Sequence, residues 1–346
     1  MMTLKRLLQL SLVMTFCVIL LGAYTRLADA GLGCPDWPGC YGQLAVPSNQ
    51  ADLAKANALF PELTVQADKA WLEMIHRYFA GTLGLLVFAI TGTALAQKRG
   101  GRLLPITVSL VVIFQALLGM WTVTLKLMPI VVMGHLIGGF TLFSLLALFY
   151  WRVTQTKLNH QFKVGVGLRF LAFLTLAVVV LQIVLGGWTS SNYAALMCTE
   201  LPICQGDWRQ YLDVKNAFNL IQPARDTYEY GTLDYGARMT IHVTHRLGAM
   251  VTFAMVLLLI IRLLYQNSAL YRQQALMLTI LLFTQVALGV SNVSFGLPLA
   301  VAVAHNLVAA LLLLNTLYIN HIIWRTSSHS MKSVHHRSLG KEAFYE

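Results

Sequence analysis

Four histidines stand near the same end of four apolar stretches of the chain, and they are His76, His135, His245 and His305. They form two pairs with almost equal spacing, because 59 positions separate the first pair and 60 positions separate the second. An imidazole is costly inside a bilayer unless something binds it, so four at one depth predict metal ligation. Heme iron is the leading candidate, since two facing helices can each offer one axial histidine.

Small residues follow each histidine by three or four positions and so share its helix face. They are Ala80, Gly138, Gly139, Gly248, Ala249 and Ala309. Close packing between membrane helices explains such residues without any ligand. Beside four histidines, the pattern favours a slot for a flat macrocycle.

Two arginines directly follow histidines, Arg77 after His76 and Arg246 after His245. A guanidinium at the membrane boundary suits heme propionates, which it can bind through paired charge-assisted hydrogen bonds. Snorkelling of a long cationic side chain toward the interface explains the same spacing equally well. Both interpretations stay open at the level of the sequence.

One acidic residue, Glu73, lies a helical turn before His76. In one interpretation it only pairs with Arg77 four positions later. In the other, its carboxylate accepts a proton or stabilises positive charge beside a reacting group. At an offset of 169 it is replaced by His242, for which we expect an interfacial position and a reserve role as a ligand.

Two cysteine pairs with equal spacing, Cys34 with Cys40 and Cys198 with Cys204, lie in long polar segments. Outside the cytoplasm such pairs form disulfides, and each bond would close a small loop. A zinc site with four thiolates is less favoured, because five intervening residues exceed the usual two to four. A redox function of an exposed pair is compatible with the sequence.

The composition places these residues in a membrane protein, because 57% of the 346 residues are hydrophobic and only 11% are charged. Soluble domains carry about 25% charged residues. The net charge of +11 does not indicate nucleic-acid binding, since no Lys/Arg-rich block is interleaved with aromatic residues. The partner that the composition predicts is the lipid bilayer.

Eight segments reach the length of roughly 20 apolar residues that a membrane span needs. They are residues 7–24, 77–97, 103–124, 128–151, 168–188, 239–261, 275–290 and 297–324. Lysines and arginines collect on one side of these spans, so the positive-inside rule predicts that both termini are cytoplasmic. The first span also resembles a signal peptide followed by Ala28-Asp29-Ala30, but its length and its later counterpart favour a retained span.

The chain repeats itself at an offset of 164 in the cysteine segments and of 169 or 170 around the histidines. The matched positions include Cys34 with Cys198, Gln115 with Gln285 and the histidine pairs. We therefore expect an all-α membrane protein built from two tandem four-helix bundles, residues 1–152 and 153–325, with a basic cytoplasmic tail at 326–346. Four spans per half give both halves the same orientation, which predicts a pseudo-twofold axis along the membrane normal.

Several motifs resemble the heme A synthase family of the bacterial CtaA type, to which mitochondrial enzymes also belong. The resemblance extends from the first span to the last. Its motifs are GAYTRL (22–27), GLGCPDWPGCYG (31–42), EMIHR (73–77), GHL (134–136), THRLG (244–248) and AHN (304–306).

This resemblance implies oxidation of a methyl group of heme O to a formyl group, giving heme A for terminal oxidase assembly, with oxygen taken from water. It implies that His245 and His305 hold a resident heme b, and that His76 and His135 serve the substrate heme with help from Glu73. It also implies a bacterial inner-membrane location. A membrane-bound substrate favours a handover from the farnesyltransferase that makes heme O, whereas the sequence does not define the membrane electron acceptor. Cysteine pairs occur in only part of that family, which favours a stabilising role for them.

Two other functions use the same four histidines. A diheme b-type cytochrome in quinone-linked electron transfer would modify neither heme, and a heme carrier or exporter would bind heme without chemistry. Chromatography of the extracted pigments separates all three functions.

Overall fold

The chain folds as a bundle of long helices. The computed structural model describes residues 3–154, 164–204 and 206–342, with the backbone alone for residues 326–342. These residues contain no β-strand, and the only bridge among them joins Cys40 and Gln43. Eight of their helices are long and apolar enough to cross a membrane. The predicted all-α architecture with eight spans is confirmed, and the chain is a multi-pass membrane protein.

Ten α-helices occur in the described part of the chain, two of them short helices in the long loops. In order they are α1 (Leu4–Leu27), α2 (Gln50–Leu59), α3 (Ala67–Ala96), α4 (Leu103–Thr124), α5 (Pro129–Thr154), α6 (Val166–Ser191), α7 (Val214–Ala217), α8 (Tyr235–Leu264), α9 (Ala269–Ser294) and α10 (Leu299–Glu342). The span within α10 ends at Arg325. The side chains of the predicted basic tail lie outside the described residues.

Helix α3 begins at Ala67, ten residues before the predicted start of its span, and α8 begins at Tyr235 rather than at 239. The first turns of α3 carry charged residues such as Asp68 and Lys69. Hydropathy detects only the part of a helix that lipid surrounds, so it misses turns that rise above the apolar layer. Both helices thereby carry their histidines deeper along the helix than the sequence predicts.

The helices of each half pack in the same pattern. Helices α1, α3, α4 and α5 form a closed ring of neighbours, and α6, α8, α9 and α10 form the equivalent ring. The halves meet through α1 against α10, α5 against α6, and α5 against α10. Exchanging each helix for its counterpart leaves this set of contacts unchanged.

Two contacts join residues that occupy matching positions of the repeat. Arg26 donates a hydrogen bond of 2.8 Å to the carbonyl oxygen of Ser190, 164 positions later. At the opposite end of the bundle, the rings of Trp151 and His321 lie 5.6 Å apart, at an offset of 170. In a twofold arrangement, residues meet their own counterparts only near the axis. These contacts support the predicted pseudo-twofold axis, which stays a prediction together with the boundaries of the two halves.

Matching turns place two of the histidines. The turn before α5 has positive φ at Lys126 and Leu127, and the turn before α10 has positive φ at Gly296 and Leu297. Each following helix then reaches its histidine six residues after its first residue. Equal turn geometry therefore brings the second histidine of each half to the same depth.

Hydrogen bonds between helices add to the apolar packing inside the bundle. The hydroxyl groups of Thr91 on α3 and Ser109 on α4 lie 2.8 Å apart, and the amide of Asn320 on α10 donates to the carbonyl of Ala172 on α6. Apolar side chains gain little by leaving lipid for another helix, so close packing and such bonds stabilise the helix contacts.

Candidate functional site: a histidine-lined cavity

A single cavity of about 1860 Å³ reaches into both halves of the bundle. All four predicted histidines line it, together with Glu73, Arg77, His242 and Arg246. Pockets for one small molecule usually measure about 300–1,000 Å³. The cavity therefore has room for more than one large ligand, and it brings together every charged or ligating residue that the sequence predicts for the site.

Each histidine ring lies against a glycine of the neighbouring helix. A Cβ atom built on the glycine would lie close to the Cε1 atom of the ring in each case. The distances are 2.9 Å from Gly22 to His76, 3.5 Å from Gly119 to His135, 3.1 Å from Gly186 to His245 and 3.2 Å from Gly289 to His305. These glycines let the rings approach the neighbouring backbone closely. They occupy matching positions in the two halves, so the close contact between ring and glycine is repeated in both.

The small residues that follow the histidines have two different roles. Ala80, Gly139, Ala249 and Ala309 line the cavity, as predicted for a flat ligand. Gly138 and Gly248 instead make room for glutamine side chains, because a Cβ there would lie 1.8 Å from Gln115 and 2.4 Å from Gln182. This corrects the interpretation of those two glycines as part of the slot.

The two histidines of the second half are each held by a glutamine amide. The Nε2 atom of Gln182 lies 3.0 Å from Nδ1 of His245 and donates to the His245 carbonyl at 2.9 Å. The Nε2 atom of Gln285 lies 3.2 Å from Nε2 of His305. These contacts restrict the orientation of both rings, and because an amide nitrogen only donates, the contacted ring nitrogen is the acceptor in each case.

The first half lacks this support. The position that matches Gln182 is Val18, and the Nε2 atom of Gln115 is buried without a partner. The Nδ1 atoms of His76 and His135 are buried without a partner, as is that of His305 in the second half. The repeat makes the match of Gln115 with Gln285 visible in the sequence. It does not reveal Gln182, because valine stands at the matching position in the first half.

The rings of His76 and His135 face each other with centroids 6.4 Å apart and planes at 90°. A bond from a metal to an imidazole nitrogen is roughly 2 Å long, so this gap accommodates one metal ion between the rings. Together with the unpartnered ring nitrogens, this geometry fits an iron porphyrin with one histidine on each side. No group of three or more His, Cys, Asp or Glu that could hold a metal ion occurs among the described residues, so the predicted alternative of a four-thiolate zinc site is not observed there.

Both predicted disulfides are present, Cys34–Cys40 and Cys198–Cys204. Arg77 holds the first disulfide loop, because its guanidinium donates to the carbonyl oxygens of Asp36 at 2.8 Å and of Gly39. Arg246 holds the second in the same way, through the carbonyl oxygens of Glu200 at 2.6 Å and of Cys198. Neither arginine is a simple snorkelling side chain.

Glu73 is buried, pairs with Arg77, and accepts the backbone N–H of Cys34 at 2.8 Å. Its carboxylate therefore connects the wall of the cavity to the disulfide loop. The contact with Arg77 agrees with the interpretation of Glu73 as an ion-pair partner. Its position beside the cavity is compatible with the interpretation of Glu73 as a proton acceptor.

His242 is 3% exposed, because it lies against the second disulfide loop, and its expected position at the membrane interface stays a prediction. The backbone N–H of Cys198 lies 3.3 Å from its Nδ1 atom, and Nε of Arg246 lies 3.2 Å from its Nε2 atom. A neutral imidazole accepts at one nitrogen only, so one of these two N–H groups is bound at a time. The contacts engage His242 with the second disulfide loop.

The fold and the site together define an eight-span membrane protein whose paired histidines enter one cavity from facing helices. The chain belongs to the COX15-CtaA family of cytochrome oxidase assembly proteins, whose profile matches residues 5–317.

Curated relatives of the chain carry the name heme A synthase. One from Shewanella oneidensis is 52% identical over 327 residues, which cover 94% of this chain and 98% of the relative. Those from Halalkalibacterium halodurans and Rickettsia akari are 24% and 26% identical and cover 90% and 88% of this chain, and 94% and 93% of their own lengths. Since these alignments cover nearly all of each protein, the similarity concerns the whole eight-span architecture.

Proposed function

We propose that this protein is a heme A synthase that oxidises a methyl group of heme O to a formyl group, for use in terminal oxidase assembly. One observation carries the proposal: a single cavity contains two histidine pairs that differ in how they are held. A relative that is 52% identical and bears that name supports it.

The pair His245 and His305 is assigned to a resident heme b. Glutamine amides contact both rings and so hold them in place before a heme binds. A group that must stay bound through many turnovers benefits from ligands fixed in advance. The bound heme b would supply one-electron transfer.

The pair His76 and His135 is assigned to the substrate heme O. The amide nitrogen of Gln115, the only glutamine beside this pair at a position matched in the repeat, has no hydrogen-bond partner, so binding here gains less from fixed ligands. Weaker retention suits a site that must take up heme O and release heme A. The difference between the halves therefore matches the difference between a substrate and a cofactor.

Glu73 is proposed to accept protons during the oxidation. Methyl is converted to alcohol and then to hydrated aldehyde, and loss of water gives the formyl group. Each of the two oxidation steps takes one oxygen from water, releases two protons and passes two electrons to a membrane electron acceptor. Glu73 lines the cavity one turn from His76, and Arg77 and the Cys34 N–H hold its carboxylate in place. These contacts make it a positioned base.

Arg77 and Arg246 are proposed to contact the heme propionates. Both line the cavity while they bind loop carbonyl groups, and a guanidinium has five N–H donors in total. Each arginine would then connect a propionate to the disulfide loop of its own half.

We propose a location in the bacterial inner membrane with both termini in the cytoplasm. The end of the bundle opposite the disulfide loops carries Lys5, Lys98, Arg102, Arg152 and Arg262. The positive-inside rule assigns this end to the cytoplasm. Because heme O is membrane-bound, direct transfer from the farnesyltransferase that makes it is part of the proposal.

The proposal is tested by expression in a host that makes no heme A, with and without a supply of heme O. Acid extraction and chromatography of the pigments should yield heme A only when heme O is supplied. Recovery of unchanged heme O would instead favour a cytochrome or a heme carrier. Water as the oxygen source predicts conversion without O₂ when ferricyanide replaces the natural acceptor, and an absolute need for O₂ would contradict it.

A further inference from the structure

A second cavity, of about 440 Å³, lies at the end of the bundle opposite the disulfide loops. It is formed where α5 and α10 meet between the two halves. Its polar lining consists of Arg152, Asn320, His321, Trp324 and Arg325. Two arginines and no acidic side chain are among the described residues that line it, so these residues give the lining a positive charge.

Two buried polar atoms in this lining have no hydrogen-bond partner, Nε2 of His321 and Oδ1 of Asn320. Asn320 is only 6% exposed, and its Nδ2 atom already donates to the carbonyl oxygens of Ala172 and Thr316 at 2.9 Å each. Buried polar groups are nearly always paired in folded proteins. These atoms therefore leave hydrogen-bonding capacity in the cavity lining that a polar ligand can use.

The depth of the cavity matches the headgroup layer of a membrane. Arg325 is the last residue of the α10 span, and Arg152 lies two residues before the end of α5. Trp151, whose ring lies 5.6 Å from that of His321, and Trp324 are aromatic residues of the kind found at membrane interfaces. A ligand at this level comes from the lipid surface or from the adjoining water.

We propose that this cavity binds a phosphate ester, the headgroup of an anionic phospholipid. Arginine offers planar forks of N–H donors that match phosphate oxygens, and basic pockets between membrane helices recognise such headgroups. The unpartnered Oδ1 of Asn320 would accept a hydrogen bond from a hydroxyl group, such as one of a glycerol headgroup. Because the cavity joins α5 to α10, the lipid would connect the two halves of the bundle.

The test compares the full-length wild-type protein with Arg152→Gln and with a control, Arg262→Gln. Arg262 is an exposed arginine in the last turn of α8 at the same end of the bundle, outside the cavity. Each protein is purified from mixed micelles of phosphatidylglycerol and phosphatidylcholine, and the retained lipids are counted by mass spectrometry. A parallel titration with inorganic phosphate tests whether the cavity binds phosphate from solution rather than a lipid headgroup.

We expect the wild type and Arg262→Gln to retain phosphatidylglycerol in preference to phosphatidylcholine. Arg152→Gln should reduce that preference about tenfold, as expected for the loss of one charge-assisted hydrogen bond. Phosphate binding that depends on Arg152 without any lipid preference would support the phosphate site but assign it to a soluble ligand. Equal behaviour of all three proteins in both measurements would overturn the proposal. If Arg152→Gln does not fold, judged by its helical circular dichroism, His321→Leu tests the same cavity.

Discussion

Glu73 and His242 occupy the same place in the two halves of the protein. Each lies within hydrogen-bonding distance of the backbone N–H of the first cysteine of its disulfide loop, at 2.8 Å for Cys34 and at 3.3 Å for Cys198. Each is also contacted by the arginine four positions later. One scaffold therefore presents a carboxylate to the first pair of histidines and an imidazole to the second.

The first prediction concerns the carboxylate. Glu73→Ala should leave the resident heme bound but accumulate heme O or its alcohol, because the positioned base is lost while the ligands of the second half remain. The measurement is chromatography of pigments extracted from the purified protein. Normal heme A yield from Glu73→Ala would remove this residue from the mechanism.

A matched control for this variant is His242→Ala, which removes the equivalent contact to the other disulfide loop. We expect this variant to lose stability while it still converts heme O. An equal block of conversion in both variants would mean that loop support, rather than the carboxylate, limits the reaction.

The second prediction separates the histidine pairs. His245→Ala and His305→Ala should each change the absorption spectrum of the resident heme, since each removes an axial ligand. His76→Ala should leave that spectrum in place and abolish conversion. Unchanged spectra in both variants of the second half would reverse the assignment of cofactor and substrate.

The third prediction uses the natural difference between Gln182 and Val18. Gln182→Val copies the first half into the second and should weaken resident heme binding by about fivefold, because the His245 ring loses the hydrogen bond that orients it. The transfer of heme to an apoprotein acceptor measures this release. Gln115→Val is the control, since the amide nitrogen of Gln115 lies against Gly138 and has no hydrogen-bond partner.

An unchanged rate of heme release in Gln182→Val would show that the glutamine does not secure the cofactor. Faster release in Gln115→Val alone would assign the firmly held heme to the first half. Either outcome would remove the structural support for the assignment of the two sites.

The fourth prediction concerns the disulfides. Replacing Cys198 and Cys204 by serine should lower the free energy of unfolding by about 2 kcal/mol, the effect expected for a short closed loop. Thermal unfolding measures the change, and Cys17→Ser, at a free cysteine in α1, is the control. Loss of heme A formation in a variant of unchanged stability would instead favour a redox function.

The sequence predicts those parts of the fold and site that leave a periodic or repeated trace. Eight apolar runs predict eight spans, and four histidines at matching positions predict four side chains that the structure brings to one cavity. Helices α2 and α7 escape prediction because they are short and lie in polar loops. The start of α3 is not predicted either, because its first turns are polar and so add nothing to the apolar pattern that marks a membrane span.

The missed parts of the site involve contacts between residues that are distant in the chain. Gln182 contacts His245, which lies 63 positions later in the chain. A comparison of the two halves does not reveal this glutamine, because its counterpart is Val18. The burial of His242 depends on where the disulfide loop folds, which the spacing of Cys198 and Cys204 does not define. Side chains that act through tertiary contacts need coordinates before their partners can be identified.

The most direct test of the account is the absorption spectrum of the purified wild-type protein after expression with ample iron and porphyrin precursor. Paired imidazoles that bind iron porphyrin predict a coloured protein, whose heme bands change in His245→Ala and His305→Ala. A colourless preparation of correctly folded protein would contradict the central claim that these histidines bind heme.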